Sequence, residues 1–232
     1  MKKNERGIEK FLKGEIIVFS KFIKFLFVFA ILIALVIPAY GEQTFKLLIL
    51  GDSLASGYKL SPEKGFVPKL QKELNDDGLD NVEVINEAVA GETTFDGLKK
   101  INAILDKKPH AVILELGAND VLQNLDLEQT EKNLQEIITT LKKNQVAVML
   151  IGINIPPTIS ENKGQKLNEI YKNLAKKNKL ILYPNFLEGV VSQRFGSYNF
   201  ENMIDSVHPN EKGVDLMIKN TYSVIKEFLM DI

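Results

Sequence analysis

The chain has 232 residues, 45% of them hydrophobic and 25% charged, an ordinary globular composition that argues against a disordered, collagen-like or multi-span membrane protein. It has no cysteine, which excludes a disulfide framework, a zinc–thiolate or iron–sulfur site and a cysteine nucleophile. The net charge of -1 is uneven: residues 1–41 carry seven basic and three acidic side chains, leaving 22 basic and 27 acidic for the rest, so the body gives no electrostatic reason to expect nucleic-acid binding.

The basic N-terminal segment leads into an unbroken run of thirteen apolar residues, Phe25 to Ile37, with Lys21 and Lys24 just before it and Pro38-Ala39-Tyr40-Gly41 just after. A basic region, a short apolar core and small residues at Ala39 and Gly41 describe a secretory signal peptide cleaved after Gly41. Ile16 to Phe19 extend the apolar character backward, so an uncleaved N-terminal membrane anchor is the second reading; an internal core helix is the third. The first two export the domain, to a periplasmic or extracellular site, and leave residues 42–232 as a single domain. Only the anchor would touch a membrane.

From Phe45 onward short apolar runs alternate with helical periodicity. Phe45–Leu50, Val82–Ile85, Ala111–Leu116, Val146–Ile151 and Leu180–Tyr183 read as buried strands. Between them, Val67, Leu70 and Leu74 share a helical face, with Pro68 tolerable only in the first turn. Leu98, Ile101 and Leu105 mark a second helix, and Leu134, Ile137, Ile138 and Leu141 a third after a cap at Asp126. Leu167, Ile170, Tyr171 and Leu174 make a fourth. Val214, Met217, Ile218, Tyr222, Ile225 and Leu229 make a long last helix. Apolar strands alternating with helices predict an α/β fold, a parallel sheet with helices on both faces. Ligands of such sheets bind beyond the C-terminal ends of the strands.

Three strand ends run into Gly51-Asp52-Ser53-Leu54, Ala90-Gly91-Glu92-Thr93 and Gly117-Ala118-Asn119-Asp120, and Asp205-Ser206-Val207-His208-Pro209-Asn210 stands before the last helix. A serine hydroxyl needs a base to become a nucleophile, usually histidine. The chain holds two histidines, His110 and His208. His110 precedes its strand and so belongs at the opposite edge, as a surface residue; His208 is the candidate base for Ser53. Asp205, three residues before it, can reach the imidazole Nδ1 in a turn and orient the ring, although alone it reads better as a turn or capping aspartate; beside His208 and Ser53 the catalytic reading is favoured. Pro209 keeps His208 out of the helical region. Oxyanion donors are available from the backbone N–H of Ser53, the backbone N–H of Gly91 and the side-chain amide of Asn119. In isolation Gly91 is also a turn glycine and Asn119 a turn or capping asparagine.

The order Gly-Asp-Ser-Leu, glycine, Gly-x-Asn-Asp and Asp-x-x-His-Pro resembles the SGNH, or GDSL-type, hydrolases, over essentially all of residues 44–230. The phrase LLILGDSLASGY and the Ile155-Pro156-Pro157 turn resemble its branch of bacterial exported arylesterases and multifunctional thioesterase/lysophospholipases. The resemblance implies a three-layer flavodoxin-like fold on a five-stranded parallel sheet. It implies hydrolysis through an acyl-serine, with no cofactor or metal, of small acyl esters or thioesters, lysophospholipids among them. Ser53 is then nucleophile, His208 base and later acid, Asp205 the residue that orients it, and Ser53, Gly91 and Asn119 the oxyanion hole. Ala118 departs from the glycine common in this branch. Val121 to Leu125 would line the acyl site and set chain-length preference.

The α/β-hydrolase elbow G-x-S-x-G is excluded because Ala55 stands where its second glycine belongs. No H-E-x-x-H zinc motif or nucleotide-binding glycine loop occurs. An O-deacetylase of cell-envelope carbohydrate would use the same residues, and a non-catalytic binding domain is a third reading that the intact Ser53, Asp205 and His208 set disfavours.

Overall fold

A computed structural model of the protein describes residues 23–24, 44–155, 157–194 and 197–232. Apart from residues 23–24, the expected export segment over 1–41 lies outside the described residues, as does Pro156. No helix among the described residues is long and apolar enough to cross a membrane.

Five parallel strands, β1 (Phe45–Gly51), β2 (Val82–Asn86), β3 (Ala111–Glu115), β4 (Ala147–Ile151) and β5 (Ile181–Tyr183), form one sheet in the order β2-β1-β3-β4-β5. Leu47 to Leu50 and Ala111 to Leu114 are wholly inaccessible. A strand buried on both faces gains from an apolar residue at every position, which explains the continuous runs in the sequence. Each buried leucine or isoleucine is worth about 1.5–3 kcal/mol relative to exposure.

The helices supply the two covering layers. α1 (Ser53–Ser56) is a single turn leading to α2 (Phe66–Asp76), which packs against the last helix, α8 (Glu211–Met230). Ion pairs from Lys69 to Asp215 and from Lys226 to Asp77 join these two along their exposed seam. The second group comprises α3 (Thr94–Lys99), α4 (Ile101–Asp106), α6 (Leu127–Lys143) and α7 (Pro157–Asn178), with the short α5 (Ala118–Leu122) beside them. Asp126 caps α6 as expected, accepting from Glu128 N–H at 3.0 Å.

Three features depart from the sequence pattern. The single helix expected around Leu98, Ile101 and Leu105 is two, because Lys100 leaves helical geometry (φ -92°, ψ 4°). Its ammonium is drawn back to the Glu87 carbonyl at 2.6 Å and to the Glu92 carboxylate. The break turns Ile101 and Ile104 inward and leaves Leu98 and Leu105 half-buried. Helix α7 is interrupted at Ser160, whose backbone is extended (φ -165°, ψ 102°). A two-stranded antiparallel pair, β6 (Ser192–Arg194) and β7 (Ser197–Asn199), follows β5; strands of three residues are too short to give a period.

At the end of β1, Gly51 pairs with Glu115 of β3. A Cβ at Gly51 would lie 2.5 Å from Glu115 Oε2 and 3.1 Å from the Glu115 carbonyl oxygen. Gly51→Ala is therefore expected to destabilise the fold by about 1–3 kcal/mol, the usual cost of overpacking, and to lower the melting temperature in a thermal unfolding scan.

Candidate active site

The strand order places a topological switch at β1 and β3: the chain leaves β1 toward β2 on one side and β3 lies on the other. Ligands of doubly wound sheets sit in the crevice beyond the strand ends at that point. Two of the four sequence blocks start there, Gly51-Asp52-Ser53 and Gly117-Ala118-Asn119.

Asp52 is the N-cap of α1, its Oδ1 accepting from Leu54 N–H at 3.0 Å. Ser53 is thereby the first residue of a helical turn, where a backbone N–H has no partner within the helix. Gly57 closes the turn in the left-handed region (φ 75°). A side chain there would be strained, and a Cβ would meet Gly65 Cα at 2.8 Å.

From the other end of the chain, Asp205 folds its own segment. Asp205 Oδ1 accepts from Val207 N–H at 2.9 Å and from His208 N–H at 2.8 Å, an aspartate turn of the kind short carboxylates favour. That turn brings His208 Nδ1 to 3.0 Å from Oδ1 and 2.9 Å from Oδ2. The imidazole Nε2 then stands 3.1 Å from Ser53 Oγ, across 155 residues of chain. Burial pushes the Asp205 carboxyl upward, but hydrogen bonds from Lys59, His208 and the Val207 and His208 N–H groups outweigh it and hold the group well below the usual carboxylate range. An ionised carboxylate can only accept. The proton of the neutral ring therefore belongs on Nδ1, and the lone pair of Nε2 faces the serine hydroxyl.

Asn119 lies on the other side of Ser53. Its Nδ2 donates to the Glu92 carbonyl at 2.9 Å and to Asp52 Oδ2 at 3.2 Å. The first bond ties the Gly91-Glu92 block to the Gly-x-Asn-Asp block, with Gly91 in the left-handed region (φ 87°) that suits glycine. The second means that an oxyanion arriving beside Ser53 would compete with Asp52 for an Asn119 N–H. Asp120 does not face the cleft. It accepts from Thr94 N–H at 2.9 Å and from the Thr94 and Thr130 hydroxyls, pinning α3 and α6 beneath the site.

His110 is at the opposite edge, as its place before β3 requires. It is not a free surface residue: it is half-buried, its Nδ1 accepts Lys46 N–H at 2.9 Å, and its ring stacks on Phe45.

A shallow cleft opens beside Ser53. Apart from Ser53, Asn119 and their neighbours its walls are mostly apolar, drawn from Leu122, Ile153, Ile155, Ile159, Leu187 and Met203, with Asn154 and Ser206 the polar exceptions. Of the expected loop Val121 to Leu125, only Leu122 lines it; Val121 turns into the core, because both sit on α5 and point to opposite sides. Leu187 and Met203 carry no signal in the sequence, being brought to the cleft by tertiary folding alone.

Two carboxyl groups lie beneath the site: Glu115, which the sequence pattern did not single out, and Asp52, which stood out only as part of the Gly-Asp-Ser-Leu block. Glu115 is wholly buried at the end of β3; its Oε2 accepts Asp52 N–H at 3.1 Å, and Oε1 has no hydrogen-bond partner among the described residues. Burial and the nearby Asp52 raise the Glu115 carboxyl well above its ordinary range. Asp52 is pushed up from 3.8 to about 7, by burial first, opposed by the Leu54 N–H and reinforced by the charges of Asp120 and Glu92.

The GDSL-like lipase/acylhydrolase family model matches residues 49–216. This chain belongs to that family. It is 31% identical over 198 residues to Esterase TesA of Pseudomonas aeruginosa, covering 85% of this chain and 96% of the relative. It is 33% identical over 183 residues to Thioesterase 1/protease 1/lysophospholipase L1 of Escherichia coli, covering 78% and 83%. A solved crystal structure of TesA superposes with a TM-score of 0.72 at 30% identity, covering 79% of this chain and 99% of that one. The protein is thus a serine acyl hydrolase of the SGNH type, acting on ester bonds.

Asp52 gives a stability prediction. Between about pH 4 and 7 the folded protein holds a proton on Asp52 that the unfolded chain has lost, so this group makes stability fall as pH rises through that window. Asp52→Asn should make the decline of melting temperature from about pH 4 to 7 shallower. Glu115 titrates in the same sense, so the slope should shrink rather than vanish. An unchanged slope would show that Asp52 ionises normally in the folded state.

Proposed function

We propose that Ser53 is the nucleophile, His208 the general base and acid, and Asp205 the residue that holds the imidazole. The observation carrying this reading is the 3.1 Å approach of His208 Nε2 to Ser53 Oγ with Asp205 on the far ring nitrogen. Nε2 takes the hydroxyl proton as Oγ attacks the acyl carbon. The resulting oxyanion accepts hydrogen bonds from Ser53 N–H, Gly91 N–H and the Asn119 amide, which gives up its bond to Asp52. Collapse of the tetrahedral species breaks the bond to the leaving oxygen or sulfur, and His208 returns the proton to it. Water, deprotonated by His208, then attacks the acyl-serine; the acyl–Oγ bond breaks as His208 returns the proton to Ser53 Oγ, and the carboxylic acid is released. Asp205 stays ionised throughout and stabilises the imidazolium.

The substrate class we infer is an ester or thioester with a linear acyl chain, lysophospholipids included. The support is the cleft beside Ser53, whose exposed lining is mostly apolar through Leu122, Ile153, Ile155 and Ile159. This favours acyl hydrolysis over carbohydrate O-deacetylation. Thioesterase and lysophospholipase are the activities named for the Escherichia coli relative. We further propose that residues 1–41 direct export to the periplasm or cell exterior, on the strength of their basic and apolar pattern. If they are retained, they would anchor the domain to a membrane.

Ser53→Ala should lower kcat/KM for a p-nitrophenyl ester by about 10⁴-fold or more, and Asn119→Ala by about 10²–10³-fold. His110→Ala should leave the rate near wild type, and a large loss there would overturn the assignment of the base. Across acetyl to palmitoyl oxygen and sulfur esters, kcat/KM should rise beyond acetyl; a maximum at acetyl would favour the deacetylase. Mass measurement of the exported protein should find Glu42 as the first residue.

A further inference from the structure

The hydrogen bonds of Asp205 do not end with His208. Its Oδ2 also accepts from Lys59 Nζ at 2.8 Å, so the outer oxygen is shared between the imidazole and a primary ammonium. Oδ1 is held by two backbone N–H groups. The carboxylate is therefore fixed at both oxygens, from its own turn and from the segment that leaves the nucleophile's helix.

That segment is built to make the contact. Tyr58 and Lys59 follow the left-handed Gly57, and Lys59 is itself in the left-handed region at φ 64°. A long side chain there is strained, and such strain persists only where the surroundings enforce it. The Tyr58 ring lies against the His208 ring, centroids 4.8 Å apart, and Lys59 Nζ lies 5.4 Å from the Tyr58 centroid. Tyr58 thus covers the imidazole while Lys59 grips the carboxylate behind it. The groups facing this unit are Ser53, Tyr58 and Lys59 from the nucleophile side and Asp205 with its backbone donors from the other; Lys59 is the cation among them.

We infer that Lys59 is a positioning residue that acts through Asp205: it fixes the carboxylate against the imidazole, and its charge sets where in pH the enzyme becomes active. This rests on the Ser53–His208–Asp205 reading above. A cation beside Asp205 disfavours protonation of the neighbouring imidazole, and the imidazole must be neutral to take the serine proton. Lys59 therefore extends activity to lower pH. The pair is part-exposed, with side-chain accessibilities of 44% for Lys59 and 33% for Asp205, so its influence is modest and screened by salt.

The test is the pH profile of kcat/KM for a neutral p-nitrophenyl ester. In low salt, Lys59→Met should move the midpoint of the acid limb upward by about half a unit. It should also lower kcat several-fold with little change in KM, and Lys59→Arg should restore the wild-type midpoint. Raising salt from about 0.01 M to about 1 M cuts the screening length from about 30 to about 3 Å. It should move the wild-type midpoint upward and leave that of Lys59→Met nearly still. Superimposable low-salt profiles for wild type and Lys59→Met, or equal salt shifts in both, would overturn the inference. Asp205→Asn measured in parallel separates the two readings. If it is inactive while Lys59→Met is unshifted, only the role of Lys59 fails; if it is fully active, the triad itself fails.

Discussion

Beneath the end of β1 the Asp52 N–H donates to Glu115 Oε2 at 3.1 Å, and the placement of the polar groups around the nucleophile follows from that contact. It exists because Gly51 pairs with Glu115 in register across parallel strands, and because glycine leaves room for the carboxyl. With its N–H so held, Asp52 turns its carboxyl to cap α1 through Leu54 N–H and to receive Asn119 Nδ2. The turn carrying Ser53 and the Asn119 amide, which follow two different strands, are thus referred to one buried side chain. A one-residue slip between β1 and β3 would place a side chain of the wrong face opposite Gly51 and separate both groups.

The carboxyl groups around the site are sorted by environment. Asp52 and Glu115 are enclosed, and burial pushes both toward the neutral form. Asp205 is part-exposed and surrounded by donors, so it stays ionised. Only an ionised group can stabilise an imidazolium, and a neutral one is cheaper to bury beneath a packed sheet. Had Asp205 been as enclosed as Asp52, burial would have pushed it toward the neutral form as well. The solvent-facing position of Asp205 and its partner Lys59 are therefore consistent with its task.

The sheet and the grouping of Ser53, His208 and Asp205 were legible in the sequence because each had a local cause. Continuous apolar strands need burial on both faces, Asp205 and His208 are close enough in sequence to meet in one turn, and Asp126 carries its capping role in its own side chain. Strand polarity alone separated His110 from His208. The remaining features depend on distant contacts. Glu115 looks like one polar residue ending an apolar strand until β1 is laid beside it. Lys59 is one lysine among many until the Asp205 turn arrives from 146 positions away. The split at Lys100 arises from its reach back to Glu87 and Glu92, which no periodicity encodes.

This division also separates the groups at the strand ends from the wall of the cleft. Ser53, Asp52, Glu115 and Asn119 sit at or next to the ends of the two central strands, where backbone pairing fixes them in a rigid frame. The walls of the apolar cleft come from the segments after β3, β4 and β5, through Leu122, Ile153, Ile155, Ile159 and Leu187, where the chain is least regular and α7 is broken at Ser160. Loops on a fixed scaffold tolerate substitution far better than buried strands. A change at Ile159, 39% exposed, alters only the wall of the cleft, whereas a change at Gly51 or Glu115 disturbs the nucleophile's turn. Variation in the cleft wall can therefore accumulate at Ile159, after β4, without moving Ser53, whereas the segment after β5 also carries Asp205 and His208 and is held by their turn.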